Sequence, residues 1–341
     1  MKFLKSLVYL TLTLAFLGAV AGGAGWIYAG QLAERPGPSN DELSFAVRPG
    51  DGLSAVAERL ETAGAVENAD IVKLLGRIRG LDKELKAGEY RLPANASINA
   101  IFAQIVDGDV VSYKITIPEG RTTAQILKLI SEDERLTGPL PDPAPAEGAL
   151  LPDTYVFSGG ETRADLVQRM ADGQADLLDA LWDGRAPDLP FSTRTEAVNL
   201  ASIVEKETGV ASERGLIAGV FVNRLRRGIR LQSDPTIIYG ISKGEPLFNN
   251  RGQRRTLYRS EIDRRTAWNT YQIDGLPQTP ICNPGRDAIA AVLNPEDTEF
   301  LFFVADGTGG HAFAETNAEH VRNVRNYRRI EAQRIAEERG Q

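Results

Sequence analysis

The stretch RTEAVNLASIVEKET, residues 194–208, carries the strongest helical signal in the chain. Ala197, Leu200, Ala201, Ile203 and Val204 recur at the three- and four-residue spacing of one helix face, which predicts a helix over Arg194 to Lys206. A further helix is expected after Ala211-Ser212-Glu213, through Ile217, Val220, Phe221, Val222 and Leu225. Upstream, Arg163 to Trp182 reads as helical. Downstream, Phe300-Leu301-Phe302-Phe303-Val304 reads as a strand followed by a Gly-rich turn. A polar helix from Ala318 onward fits a solvated face or tail. The resulting class is α+β.

Toward the N-terminus the elements become smaller. Leu43 to Val47 alternates like a strand, Pro49-Gly50-Asp51-Gly52 marks a turn, and Leu53, Val56, Ala57 and Leu60 have helical spacing. A second helix is expected around Ala69 to Arg79 and a short strand near Glu89 to Leu92. A related pattern follows twice more. Gly88 to Pro93 leads into a helical Ile98 to Val106. Tyr113 to Ile117 is a strand, Pro118-Glu119-Gly120 a turn, and Ile126, Leu127 and Ile130 mark a helix. This pattern fits part of one α+β domain, and it also fits a small glycan-binding module of helices beside a short sheet. Pro139 to Pro145 (PLPDPAP) is a break, an exposed loop or a domain boundary near 139–147. Leu150 to Phe157 reads as a loop entering a strand.

The chain has 341 residues, 42% hydrophobic and 25% charged, with a net charge of −7. That composition buries a real core over two or three domains and excludes general disorder. The acidic balance argues against a dedicated nucleic-acid binder. One cysteine, Cys282, permits no intrachain disulfide and no Cys-based zinc site. With only His311 and His320, a multi-histidine metal site is excluded too, and no cofactor is expected.

Lys2 and Lys5 are followed by no charged residue until Glu34. Residues 7–29 (LVYLTLTLAFLGAVAGGAGWIYA) are long and apolar enough to span a bilayer. Positive charge before the span and none just after leaves residues 1–6 as a cytoplasmic tail and exports the remainder. Ala19-Val20-Ala21 also fits a signal-peptidase pattern. The apolar run continues through Trp26, Ile27 and Tyr28, which favours a retained anchor, and both readings export the rest. No Cys stands beside the span for lipid attachment. Residues 30–42 are a polar linker.

Chemistry concentrates at the end of the 194–208 helix. Residues two apart on a helix diverge by about 200°, so Glu205 and Glu207 cannot share a face. Glu207 lies three, four and seven residues after Val204, Ile203 and Leu200, at the end of the apolar stripe. Glu205 lies beside Ala201 and Ser202, on a more polar flank. Partial desolvation raises a carboxyl pKa, as a general acid requires. The same spacing also fits two surface glutamates near a helix C-terminus, where the dipole mildly disfavours them.

Other groups with polar or aromatic character follow. Gln232-Ser233-Asp234-Pro235 reads as a loop or turn in which Pro235 holds Asp234 extended. Trp268-Asn269-Thr270-Tyr271 puts aromatics around an amide, suited to sugars or to core packing. Gly275 to Gly285 is a rigid Pro-bearing loop, and His311 follows a strand and a Gly turn. Arg251, Arg254, Arg255, Arg259, Arg264 and Arg265 form a basic cluster that fits an anionic polymer or a solvated loop. No serine-hydrolase, Walker or dinucleotide fingerprint stands out.

These stretches together resemble the YceG-like family. They are LPDTY (151–155), LASIVEKET (200–208), ASER (211–214), VFVNRL (220–225), LQSDPT (231–236), NTY (269–271), GLP…NPG (275–285) and FVADGTGGHAF (303–313). The resemblance implies a lyase of nascent peptidoglycan strands: the muramic acid 6-hydroxyl attacks the anomeric carbon and leaves a 1,6-anhydro end. It implies Glu207 as catalytic acid and base, in agreement with the face argument. It also implies a LysM-like module over about 43–110, a larger mixed α+β catalytic region over 111–341, and an inner-membrane anchor. An association with peptidoglycan polymerases is a further implication. Gln232, Asp234, Asn269, Tyr271 and His311 are expected to position sugar and stabilise an oxocarbenium-like state. Intramolecular attack dispenses with the second carboxylate of ordinary glycosidases. A two-carboxylate hydrolase using Asp234 and a noncatalytic glycan-binding protein are the competing readings. Trp268 stands where the family usually has Tyr, and Gln278-Thr279 replaces its usual Pro/Gly.

Overall fold

The computed structural model describes residues 2–48 and 50–340, with side chains described for residues 12–14, 16–20, 22–48 and 50–337. The charges of Lys2 and Lys5, and Pro49 of the expected turn, lie outside these. The described chain divides into two compact units, residues 1–113 with 156–161, and residues 114–155 with 162–341.

In the first unit, α1 (Lys2–Glu34) contains the apolar run, and its segment Leu12–Glu34 is long and apolar enough to cross a membrane. Strand β1 (Leu43–Val47) is followed by α2 (Leu53–Thr62) and α3 (Ala69–Ile78). Then come β2 (Gly88–Leu92) and α4 (Ile98–Asp107). β1 and β2 pair antiparallel, with Leu43 opposite Leu92 and Val47 opposite Gly88. Alternation points Phe45, Val47, Tyr90 and Leu92 inward onto Val56, Leu60, Val72, Phe102 and Ile105, all buried. Asn68 starts α3 by accepting from the backbone N–H groups of Asp70 and Ile71. Every element expected between residues 43 and 106 is present.

Strands β3 (Ser112–Thr116) and β4 (Thr154–Ser158) pair with each other, and the boundary between the units falls within both. Between them lies α5 (Thr123–Ser131), started by a reciprocal Thr122–Gln125 capping box. Residues 139–147, expected as a break, lie inside the second unit.

The second unit is mainly helical. It contains α6 (Arg163–Trp182), α7 (Arg194–Glu207), α8 (Arg214–Arg226), α9 (Asp234–Ser242), the short α10 (Arg259–Ile262) and α11 (Arg286–Leu293). The hairpin β5 (Phe302–Ala305) and β6 (His311–Ala314) precedes α12 (Asn317–Gly340). A Thr193–Glu196 capping box starts α7, whose residues 197–204 are all buried. With α8 and α11 packed on it, α7 is the central element of this core. One expectation is corrected here. Asp234 is not extended; it is the first residue of α9, with Pro235 in the first turn. Proline disfavours helix for the residue before it, yet its fixed φ and missing N–H suit a helix start, and here the start prevails.

Candidate active site

The end of α7 sends its two glutamates in different directions. Glu205 Oε2 accepts the Gly285 N–H at 3.1 Å, at the start of α11. Glu207 Oε1 accepts from Ser233 Oγ at 2.5 Å, just before α9. The 200° divergence expected of them is therefore realised. Glu207 keeps some residue surface, but its carboxyl is densely surrounded. Burial is the largest influence and lifts its pKa to about 6 from an ordinary 4.5. The Ser233 hydrogen bond works the other way, the Asp234 charge raises it further, and His311 and Arg224 lower it.

A loop zipped to the start of α9 holds Ser233 in place. Gln232 sits at φ 55°, a left-handed conformation rare outside glycine, and turns the chain sharply into Ser233. The N–H of Gln232 donates to the Thr270 carbonyl at 3.2 Å, and that of Ser233 to Thr270 Oγ1 at 3.0 Å. Thr236 Oγ1 lies 2.9 Å from Thr270 Oγ1. Tyr271 donates its hydroxyl to Asp234 Oδ1 at 2.7 Å. Burial, then this bond to a carboxylate, pushes the Tyr271 phenol well up, so it stays a donor.

Two partners of this centre are held from other elements. Glu213 accepts the His311 backbone N–H at 2.8 Å and stands 2.7 Å from its Nδ1. Burial works against the Glu213 charge, but the His311 hydrogen bonds and charge prevail and its pKa is lowered. A carboxylate at Nδ1 makes that nitrogen the donor and turns Nε2 to other partners. The His311 and Phe303 rings are also packed perpendicular, with their centroids 5.3 Å apart. The buried Arg224 donates to the carbonyls of Leu301 (2.6 Å), Leu231 (2.7 Å) and Arg230 (3.2 Å), and reaches Gln232 Oε1 at 3.5 Å. It ties the hairpin to the segment entering α9.

Of the residues expected from sequence, Glu207, Asp234, Tyr271 and His311 are brought together, with exposed Gln232 at their margin. Asn269 differs. It is fully buried, its Nδ2 donates to the carbonyls of Glu261, Ile262 and Arg264, and its Oδ1 accepts the Tyr271 N–H. Its amide holds the loop. Ser233, Thr270, Glu213 and Arg224 are not among the residues expected from sequence, although all four lie in the quoted stretches LQSDPT, NTY, ASER and VFVNRL. Among the described residues, no group of three or more His, Cys, Asp or Glu side chains is arranged to hold a metal ion. Chemically, the centre offers one carboxyl able to give a proton near neutral pH and take one back, ringed by hydrogen-bonding groups.

A desolvated carboxyl among hydrogen-bonding groups, on a mixed α+β scaffold, is what fold and site define. Residues 45–326 match the model of the YceG-like family, and the chain belongs to that family. The chain is 26% identical over 340 residues to a Bacillus subtilis protein named endolytic murein transglycosylase, covering 90% of this chain and 91% of that one. A Streptococcus pneumoniae serotype 2 protein of the same name is 28% identical over 332 residues, covering 84% of this chain. The chain spans 58% of that longer relative. A crystal structure of a YceG-like protein from Listeria monocytogenes aligns with a TM-score of 0.48 at 25% identity, covering 83% of this chain and 99% of that one.

Proposed function

We propose that the protein is an endolytic peptidoglycan lytic transglycosylase that cleaves MurNAc–GlcNAc bonds within nascent glycan strands, leaves 1,6-anhydro-MurNAc ends and so terminates elongation. The observation that carries this reading is the Glu207 carboxyl, protonated up to about pH 6 and hydrogen-bonded by Ser233. In its acid form Glu207 gives its proton to the glycosidic oxygen as the bond to the anomeric carbon breaks. The resulting carboxylate then takes the proton of the muramic acid 6-hydroxyl as that oxygen bonds to the anomeric carbon. One proton leaves and one returns, so no water and no second carboxylate are consumed. Gln232, Asp234, Tyr271 and His311 position the sugar, and the charge of Asp234 favours the positive character of the transition state.

The remaining parts fit this substrate. The apolar segment of α1 is a single-pass anchor, residues 7–29, in the bacterial cytoplasmic membrane, with residues 1–6 in the cytoplasm and the C-terminal region outside, where nascent strands emerge. The small unit over residues 43–110 serves as a LysM-like glycan-binding module, and residues 111–341 as the catalytic region. Peptidoglycan polymerases are the natural neighbours of such an enzyme. The test is mass spectrometry of products from polymeric, uncrosslinked glycan treated with the full chain in detergent, wild type beside Glu207→Gln. Anhydro-ended fragments from wild type alone support the reading. Reducing ends carrying labelled water make the protein a hydrolase, and binding without cleavage makes it a noncatalytic partner.

A further inference from the structure

A cleft opens on the segments that carry the centre. It has a volume of about 260 Å³, and its walls include Lys206 and Pro235, the chain neighbours of Glu207 and Asp234. On a helix, successive residues diverge by about 100°, so Lys206 faces this cleft while Glu207 faces Ser233. Two arginines of the basic cluster, Arg254 and Arg255, complete the polar side. The lining also has an apolar part, with Ile238, Leu247, Ile281 and Tyr239.

The three cations are not equally committed. Arg255 is tied to Glu261, at 2.7 and 2.8 Å. Lys206 Nζ donates to the Gly120 carbonyl at 3.2 Å. That bond holds the ammonium beside Gly120, itself on the cleft wall, with two of its three donors left over. Arg254 is exposed and its guanidinium is open to a ligand. The one acid on the wall, Glu245, accepts from Gln125 at 2.9 Å. A cleft lined by both cations and apolar side chains suits a short peptide ending in a carboxylate.

We propose that this cleft is a subsite for the peptide stem of the glycan strand, with Lys206 and Arg254 receiving a stem carboxylate. The inference rests on the function proposed above, and it names what lies beside the sugar at the reacting centre. Stems hang from the lactyl group of muramic acid, so a strand crossing Glu207 carries one to each side. Arg254 and Lys206 are specificity residues here; they touch no reacting atom.

The test is equilibrium binding to the full chain carrying Glu207→Gln in detergent, so that strands are not cut. Three probes are compared: uncrosslinked strands with stems, the same strands with stem carboxylates chemically amidated, and strands stripped of stems. We expect amidation to weaken binding about tenfold, the scale of one charge-assisted hydrogen bond. Adding Arg254→Gln or Lys206→Met should weaken the stem-bearing probe about equally and leave the amidated probe unmoved. Arg251→Gln, on the same loop outside the cleft walls, should change nothing. The proposal is overturned if all three probes bind alike, or if Arg254→Gln weakens them all equally. It is likewise overturned if Arg251→Gln acts as strongly, which would mean general charge attraction, or if stripped strands bind as well as stem-bearing ones through the lactyl carboxylate. Cleavage by wild type is measured separately. Its absence would sink the lyase while leaving this binding result to stand or fall alone.

Discussion

Ser233 Oγ donates to Glu207 Oε1 at 2.5 Å, joining the end of α7 to the start of α9 across 26 residues of chain. This bond eases loss of the proton from the buried carboxyl. It opposes the burial and the Asp234 charge that raise the Glu207 pKa. Glu207→Gln keeps the shape and removes the proton. We expect at least a hundredfold fall in anhydro-end formation, since a positioned acid or base contributes roughly 10²–10⁴-fold. The measurement is single-turnover product formation by wild type and variant. An active variant would mean that another group is the acid.

The same carboxyl couples stability to pH. Between its ordinary 4.5 and about 6, the folded protein holds a proton that the unfolded chain has lost. Folding therefore has this support at the acid end and loses it as pH rises through about 6. The interval corresponds to at most about 2 kcal/mol. Glu207→Gln should accordingly be more stable than wild type above pH 6 by up to that amount, with the difference vanishing below the ordinary carboxylate value. Urea denaturation across that range checks it; a variant less stable at neutral pH would contradict the burial of this charge.

Ser233→Ala removes the bond that favours the ionised form, so Glu207 should keep its proton to higher pH. Cleavage by wild type should fall as pH rises through about 6. In the variant that descending limb should move up by about one pH unit, the size of a hydrogen bond to a charged group. The pH profile of kcat/KM reads it. A limb that stays in place would separate Ser233 from the titrating acid.

Much of this was legible in the chain, and the reasons for the exceptions are physical. Helix α7 and the first unit's strands follow periodicities that each segment carries by itself, and the divergence of Glu205 from Glu207 follows from helix geometry. What the local pattern does not contain is partnership. Ser233 meets Glu207, and Glu213 meets His311 from 98 residues away, only because separate elements pack together. Helices α9 and α11, of nine and eight residues, are too short to outweigh the turn signals of Asp234-Pro235 and Asn283-Pro284-Gly285. Asn269 shows the converse. An amide between aromatics reads as a sugar contact, yet it is used entirely by backbone groups.

His311 should depend on Glu213 for its orientation. Glu213→Ala removes the acceptor of both its backbone and ring N–H groups. We expect a tenfold to hundredfold loss of cleavage, from the cost of one such charge-assisted bond. The imidazole nitrogen signals in NMR should lose their fixed Nδ1–H tautomer. Unchanged signals would mean that Phe303 alone sets the ring.

Arg224 is the most demanding position, because one guanidinium serves the carbonyls of Leu301, Leu231 and Arg230 together with Gln232 Oε1. Its planar fork spans acceptors on the hairpin and on the segment entering α9, which a lysine ammonium on a single carbon cannot. Arg224→Lys keeps the charge and leaves buried carbonyls unpaired, at about 1–3 kcal/mol for each group so stranded. We therefore expect a stability loss of at least about 2 kcal/mol in urea denaturation. Activity should fall beyond what unfolding explains, because Gln232, Ser233 and Asp234 would lose their anchored backbone next to Glu207. A stable Arg224→Lys variant with full activity would mean that the Thr270 contacts alone hold Ser233 to the acid.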